Sequence, residues 1–249
     1  MPSVNASVIS GVYDSVLALL YPQSCAVCAG SVESRHEGVA CSACWDATRI
    51  FGAGDSLCWK CGAVSAATVT EERRQTVRCG RCDKDTFTAA RACGLYEGAL
   101  RASILALKRE AHVARRLLET LRQAQQRTPL ADSDLIVPVP LHATRERQRG
   151  FNQATLLARE LARVTGVPIE EHTLVRRVPT ERHRAGMDAR ARRDSVAGAF
   201  EVRQSKPIAG RRVLLIDDVF TTGATVSECA AVLKSAGATD VYVLTIARA

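Results

Sequence analysis

The stretch Val213-Leu214-Leu215-Ile216-Asp217-Asp218-Val219-Phe220-Thr221-Thr222-Gly223-Ala224-Thr225 decides the fold. An apolar, β-branched run leads straight into two adjacent carboxylates and then into a turn of small residues. Val226 to Ala236 follows with helical spacing. The run is short and does not alternate, as expected of a strand buried on both faces of a parallel sheet. Thr221 to Thr225 then form a loop at a helix N-terminus. Free backbone N–H groups, hydroxyls and the positive end of the helix dipole converge there, a combination suited to a phosphate monoester. Gly223 lets the backbone come close to the anion. Asp217 and Asp218, at the carboxyl end of the strand, are placed to accept hydrogen bonds from neighbouring hydroxyls such as those of a ribose. A buried strand that merely ends in a capped helix requires neither the paired carboxylates nor three threonines.

Working outward, Val241 to Ile246, Asp134 to Pro140 and Thr88 to Tyr96 read as further strands, with Ala199 to Val202 and Glu170 to Val175 completing a mostly parallel sheet. Leu100 to Gln126 is an arginine-rich helix or helix pair, with apolar spacing at Ile104, Leu105, Leu107, Leu117, Leu118 and Leu121. The chain then passes through Val-Pro-Val-Pro into Leu141 and His142, and into a basic loop with Arg145, Arg147 and Arg149. Phe151 to Val164 is a helix stopped by Gly166 and Pro168. Arg176 to Val196 is polar, dense in arginine and poor in apolar anchors, which predicts a mobile loop. The threonine loop then falls at the carboxyl edge of the sheet, where open α/β folds bind ligands.

Eight of the ten cysteines fall in four C-x-x-C pairs: Cys25/Cys28, Cys41/Cys44, Cys58/Cys61 and Cys79/Cys82. Two residues between thiolates let both sulfurs reach one metal from a tight turn, often helped by a glycine such as Gly62 or Gly80. This segment is too poor in large apolar residues to build its own core and needs a staple. With no export signal, structural zinc is expected in place of disulfides. Sequential pairing puts the first four cysteines on one ion and the last four on a second; an interleaved cross-brace is the alternative. Cys93 and Cys229 lie outside the pairs and read as small buried apolar residues.

With 249 residues there is room for one α/β domain and a small appendage, divided at 1–87 and 88–249. The formal net charge of +8, carried mostly by arginine, favours phosphate-bearing ligands or nucleic acid, although solvated surface arginines account for much of it. No apolar run approaches a membrane span. Val4, Val8, Val12, Val16 and Leu20 recur every four residues, an amphipathic helix without the basic leader of a signal peptide, so a cytoplasmic location is expected.

The motif at 213–225 resembles the phosphoribosyl pyrophosphate (PRPP) motif of type I phosphoribosyltransferases. The whole chain is similar to the ComF family, through its cysteine pairs, Tyr96-Glu97-Gly98, Leu107-Lys108, Val137-Pro138-Val139-Pro140 and Arg147-Gln148-Arg149-Gly150-Phe151-Asn152-Gln153. The resemblance implies an N-terminal zinc segment on a type I phosphoribosyltransferase fold. It implies that Asp217 and Asp218 bind the ribose hydroxyls, that Thr221, Thr222, Gly223, Ala224 and Thr225 cradle the 5′-phosphate, and that Mg²⁺ accompanies PRPP. Pro140, Leu141 and His142 would shape the turn facing the pyrophosphate, with Arg147 and Arg149 as its contacts. Some family members handle incoming single-stranded DNA in natural transformation, so DNA and DNA-uptake proteins are implied partners. His183 and Ser195 depart from the Gln and Asn of many relatives, while Met187, Arg190, Arg193 and Phe200 keep the outline. A catalytic His183, taking a proton from a nucleophilic nitrogen, competes with a simply solvated one.

Three functions therefore stand at the level of sequence. One is a transferase moving phosphoribosyl from PRPP to an unidentified acceptor. Another is a non-catalytic PRPP or nucleotide-binding adaptor. The third is a single-stranded nucleic-acid binder using arginines with Trp45 and Trp59 as stacking platforms. Aromatics make up only 4% of the chain, which speaks against an extended stacking surface. Both tryptophans adjoin cysteines, where packing on a metal site is the expected role.

Overall fold

The computed structural model describes residues 23–66, 69–179 and 194–249. The N-terminal repeat of Val4 to Leu20 lies outside these residues, as does most of the polar segment at 176–196, with His183, Met187, Arg190 and Arg193.

Four parallel strands form the central sheet in the order β1-β6-β5-β2, with β1 at Ala89–Leu95, β2 at Leu135–Pro138, β5 at Arg212–Phe220 and β6 at Asp240–Arg248. Val213 pairs with Val241 and with Leu135, and Ala89 pairs with Tyr242. The two remaining strands, β3 (Leu174–Arg176) and β4 (Phe200–Val202), depart from expectation. They pair antiparallel with each other and stand apart from the main sheet. Both are three residues long, too short to carry a sheet position by themselves.

Period-two alternation divides the sheet's side chains between two cores. Val213, Leu215, Val241 and Val243 face one side, where they meet β4 and the helix Ala224–Ser235 (α6). Leu214, Ile216, Leu244 and Ile246 face the other, under α2 (Gly98–Leu107), α3 (Arg115–Gln125) and α5 (Gln153–Thr165). Each fully buried Leu or Ile contributes about 1.5–3 kcal/mol, so the unalternating run at 213–216 is stabilised from both sides. The α2–α3 stretch is thus two helices. Leu117 and Leu121 are buried, whereas Leu105 is exposed. Gly166 ends α5 as its position suggested.

The cysteine segment is divided between the same two cores. Cys25, Cys41 and the short helix α1 (Ser42–Asp46) pack beside Ala89, Cys93 and Leu100, and Cys58, Cys61 and Cys82 pack beside Phe87, Ala90 and Val213. The segment also covers the open edge of β1. Phe51 N–H donates to the Cys93 carbonyl at 2.8 Å, Leu95 N–H to Arg49 at 3.0 Å and Ala90 N–H to Lys60 at 2.6 Å. An uncovered edge strand is a template for aggregation, so this packing stabilises and protects at once.

Candidate functional site

At the carboxyl ends of β2 and β5 lies a cavity of about 470 Å³. Asp217 and Asp218 come to it from β5, Thr221 from the loop after it, Thr225 from the first turn of α6, and Pro140 and Leu141 from the turn after β2. Strand β5 ends at Phe220, and the chain turns into α6 through Gly223. Gly223 is the N-cap of α6 in the left-handed conformation (φ 79°), and no side chain caps the helix. A Cβ at 223 would lie 2.7 Å from Phe220 Cζ and 3.5 Å from Asp85 Oδ2, so only glycine fits this turn. Beyond the Ala224 N–H, the first-turn N–H groups of α6 are left as donors for an anion. Thr222 Oγ1 accepts the Ala224 N–H at 3.4 Å, and Thr222 lines an adjoining hollow with Arg81 and Arg248.

The two carboxylates are not equivalent. The carboxyl of Asp217 keeps limited solvent contact but is walled in by protein. Burial, and then the negative charge of Asp218, push it up to about 8. Asp217 Oδ1 accepts the Asp218 N–H at 2.8 Å, and Lys108, just past α2, reaches Asp218 at 3.1 Å. A carboxyl that resists ionising beside a second carboxylate is suited to accept from sugar hydroxyls or to face a divalent cation, whose charge would favour ionisation.

The basic stretch at 143–149 is a helix, not a loop. His142 caps α4 (Ala143–Arg149) by accepting the Thr144 N–H at Nδ1, 3.3 Å away, and Gly150 closes it. The helical turn puts Arg145 and Arg149, four residues apart, on the cavity, while Arg147 is exposed and does not line it. His142 also stands outside the lining, its ring spent on the cap. Other lining residues were given no site role from sequence, although all but Arg176 stand in the motifs quoted above: Tyr96, Lys108, Asn152, Gln153 and Arg176. Asn152 N-caps α5 and donates to the Val139 carbonyl at 2.9 Å, bracing the turn after β2. Gln153 is only 3% exposed and its Nε2 has no hydrogen-bond partner among the described residues. Arg176 lies over the Phe200 ring, 5.0 Å from its centroid. The Asn-Gln pair after Gly-Phe was the available signal for two of these; Arg176 had none, since only the β3–β4 pairing brings it to the cavity.

The cysteines form two tetrads in sequential order, Cys25/Cys28/Cys41/Cys44 and Cys58/Cys61/Cys79/Cys82, with the four sulfurs of each within 4.8 Å of one another. Sγ–Sγ separations of 3.6–3.7 Å match the edge of a zinc tetrahedron, about 3.8 Å for Zn–S bonds of about 2.3 Å, and are far too long for disulfides. The two tetrads support structural zinc. Cys93 and Cys229 are fully buried, and burial raises both thiols, Cys93 to about 12, which leaves them inert at neutral pH.

The second tetrad leans on the threonine-loop side of the body. Arg248 donates to the Cys61 carbonyl at 2.7 Å and stacks over Phe220, 4.5 Å from its centroid. Thr86 N–H donates to Ser227 Oγ in the first turn of α6 at 3.0 Å.

Among the described residues no helix is long and apolar enough to cross a membrane. A family model described as a double zinc ribbon domain matches residues 16–83. The DNA utilization protein YhgH of Salmonella typhimurium is 32% identical over 240 residues, covering 92% of this chain and 99% of that protein. Competence protein F of Haemophilus influenzae is 31% identical over 234 residues, 90% and 96% of the two chains. Among solved structures, the glutamine PRPP amidotransferase of B. subtilis is 23% identical over 52% of this chain and 25% of its own, with a TM-score of 0.35. The parallel sheet and its strand–Asp-Asp–threonine-loop–helix unit have the layout expected of a type I phosphoribosyltransferase fold, here joined to a double zinc ribbon. With relatives of this identity spanning nearly its whole length, the chain belongs to the ComF family.

Proposed function

We propose that the protein binds PRPP with Mg²⁺ in the Asp217/Asp218 cavity and transfers its phosphoribosyl group to a nucleophile, in a process linked to DNA uptake. The observation that carries this reading is the convergence, in one cavity of about 470 Å³, of a carboxylate pair, an uncapped helix N-terminus and several cationic side chains. Thr221 to Thr225 hold the 5′-phosphate, with Gly223 shaping the loop, and Asp217 and Asp218 hold the ribose hydroxyls. Arg145, Arg149 and Lys108 offset the diphosphate charge, with guanidinium forks suited to its oxygens. The turn at Pro140 and Leu141 faces the same group. Fixing both ends of the sugar presents C1 to the acceptor. The C1–O bond to diphosphate breaks as the acceptor bonds to C1, and the nearby carboxylates offset the positive charge that develops on the sugar. Asp217 and Asp218 would hold Mg²⁺, which would supply positive charge to stabilise the leaving diphosphate.

Residues 1–87 serve as the zinc-bearing part and 88–249 as the transferase body. The names of the relatives support a link to competence and DNA use, and reduced cysteine tetrads fit a cytoplasmic site. The test is a screen of bases and amines with PRPP and Mg²⁺, read by released pyrophosphate, beside calorimetry with PRPP and ribose 5-phosphate. Failure of the protein to bind either ligand would overturn the reading.

A further inference from the structure

A second cleft, of about 400 Å³, lies between the outer edge of β1 and the second ribbon. It shares no lining residue with the Asp217/Asp218 cavity. Three guanidiniums from separate parts of the chain line it: Arg74 from the 3₁₀ turn Glu71–Thr76, Arg91 from β1 and Arg127 from just past α3. Trp59 adds an indole, over which Arg91 stacks 5.1 Å from the ring centroid. We propose that this cleft is a second binding site, for a compact polyphosphate anion such as inorganic tripolyphosphate or the phosphate tail of a nucleoside triphosphate.

The charge balance motivates the assignment. The one acidic residue in the lining, Asp55, is already engaged, with Oδ1 accepting from Arg49 and Oδ2 accepting the Gly52 N–H at 2.6 Å. Arg91 is 6% exposed and hydrogen-bonds only to backbone carbonyls, of Trp59 and Ala90 at 2.8 Å and of Thr128 at 3.4 Å. The thiolates of the second tetrad offset part of its charge. Asp55 offsets part of the charge of Arg127. Arg74 makes no ion pair among the described residues. Arg74 donates to the Ala53 carbonyl and Arg127 to that of Phe51, yet Arg74 Nε and Arg127 Nη1 are buried without an acceptor among the described residues. Carbonyls orient a guanidinium but do not neutralise it, and a buried donor left unmade costs about 1–3 kcal/mol. Burial also pulls the basicity of Arg127 down. A cluster of this kind is stabilised by an anion with several oxygens, and guanidinium forks match phosphate geometry. Its volume lies in the range of small-molecule sites, which run from about 300 to 1,000 Å³.

The test uses the full, zinc-loaded chain carrying Gly223→Val, so that anions bound at the threonine loop do not contribute. Tripolyphosphate, ATP and a short single-stranded oligonucleotide are titrated by tryptophan fluorescence and calorimetry. Tripolyphosphate and ATP should each bind at one site; tighter binding of ATP would assign a nucleotide, and equal binding the phosphates alone. Arg127→Gln should weaken both at least tenfold. Because Arg127 also pins backbone, the exposed lining residues Gln75 and Gln126 supply a variant that leaves every arginine in place. Gln75→Glu with Gln126→Glu should likewise weaken binding at least tenfold while melting and zinc content stay unchanged. Binding indifferent to both variants, or confined to the oligonucleotide, would overturn the proposal. These outcomes are independent of whether PRPP is bound or turned over elsewhere.

Discussion

Lys108 Nζ stands 3.1 Å from Asp218 Oδ2, joining the end of α2 to the acidic end of β5. Both side chains are only partly exposed, so the pair is screened less than a surface ion pair. The lysine holds Asp218 in place and presents a positive charge to the cavity that a diphosphate would meet. Lys108→Met should therefore weaken PRPP binding roughly tenfold, about 1.4 kcal/mol, and ribose 5-phosphate binding much less. Calorimetry with both ligands checks this, and equal losses would place the effect on the sugar instead.

Gly223→Val should abolish ribose 5-phosphate binding. The new Cβ would be directed at Phe220, so the loop must shift as a whole, and a β-branched residue resists φ near 79°. The expected cost to stability is about 1–3 kcal/mol, read as a lower melting temperature in a chain that still folds. Tight, unchanged binding would mean that the phosphate sits elsewhere.

Asp217 should make stability depend on pH. Its carboxyl is held up to about 8 in the folded state, so between the ordinary carboxylate range and about 8 the native protein binds a proton that the unfolded chain has lost. Stability from this group is therefore present at low pH, falls as pH rises through that window and levels off above about 8. Asp217→Asn removes the penalty. Its melting temperature should be close to the parent's near pH 4 and should exceed it by a growing margin towards pH 8. A margin that shrinks with rising pH would contradict the assignment.

The zinc content should be close to two ions, and a mercurial should release them. Cys58→Ser should lose one. Because the Cys61 carbonyl anchors Arg248 and Thr86 anchors Ser227, losing the second ion should also weaken ribose 5-phosphate binding, several-fold. Cys25→Ser, in the tetrad packed on the opposite core, should lose one ion and leave that binding nearly unchanged. Metal analysis with calorimetry on both variants separates the two tetrads.

Much of this protein was legible in local sequence. The run Val213 to Ile216 has no alternation because both faces are buried, and the turn at Thr221 to Gly223 has the residues a helix N-terminus and a left-handed cap require. The C-x-x-C spacing likewise determined the turns that gather each tetrad, since the chemistry lies within a few residues. Tertiary structure decided the rest. Arg145 replaces Arg147 at the cavity because a capped helix, not a loop, carries them, and the cap depends on His142 in its particular setting. Strands β3 and β4 left the main sheet, and Arg176 reached the cavity, only through a pairing between segments far apart in the chain. The division of the two tetrads between opposite faces of the sheet, and the gathering of Arg74, Arg91 and Arg127 around one cleft, have no local signature. They follow from which surfaces remain to be buried once the sheet has formed, a property of the packed chain and of no single stretch of it.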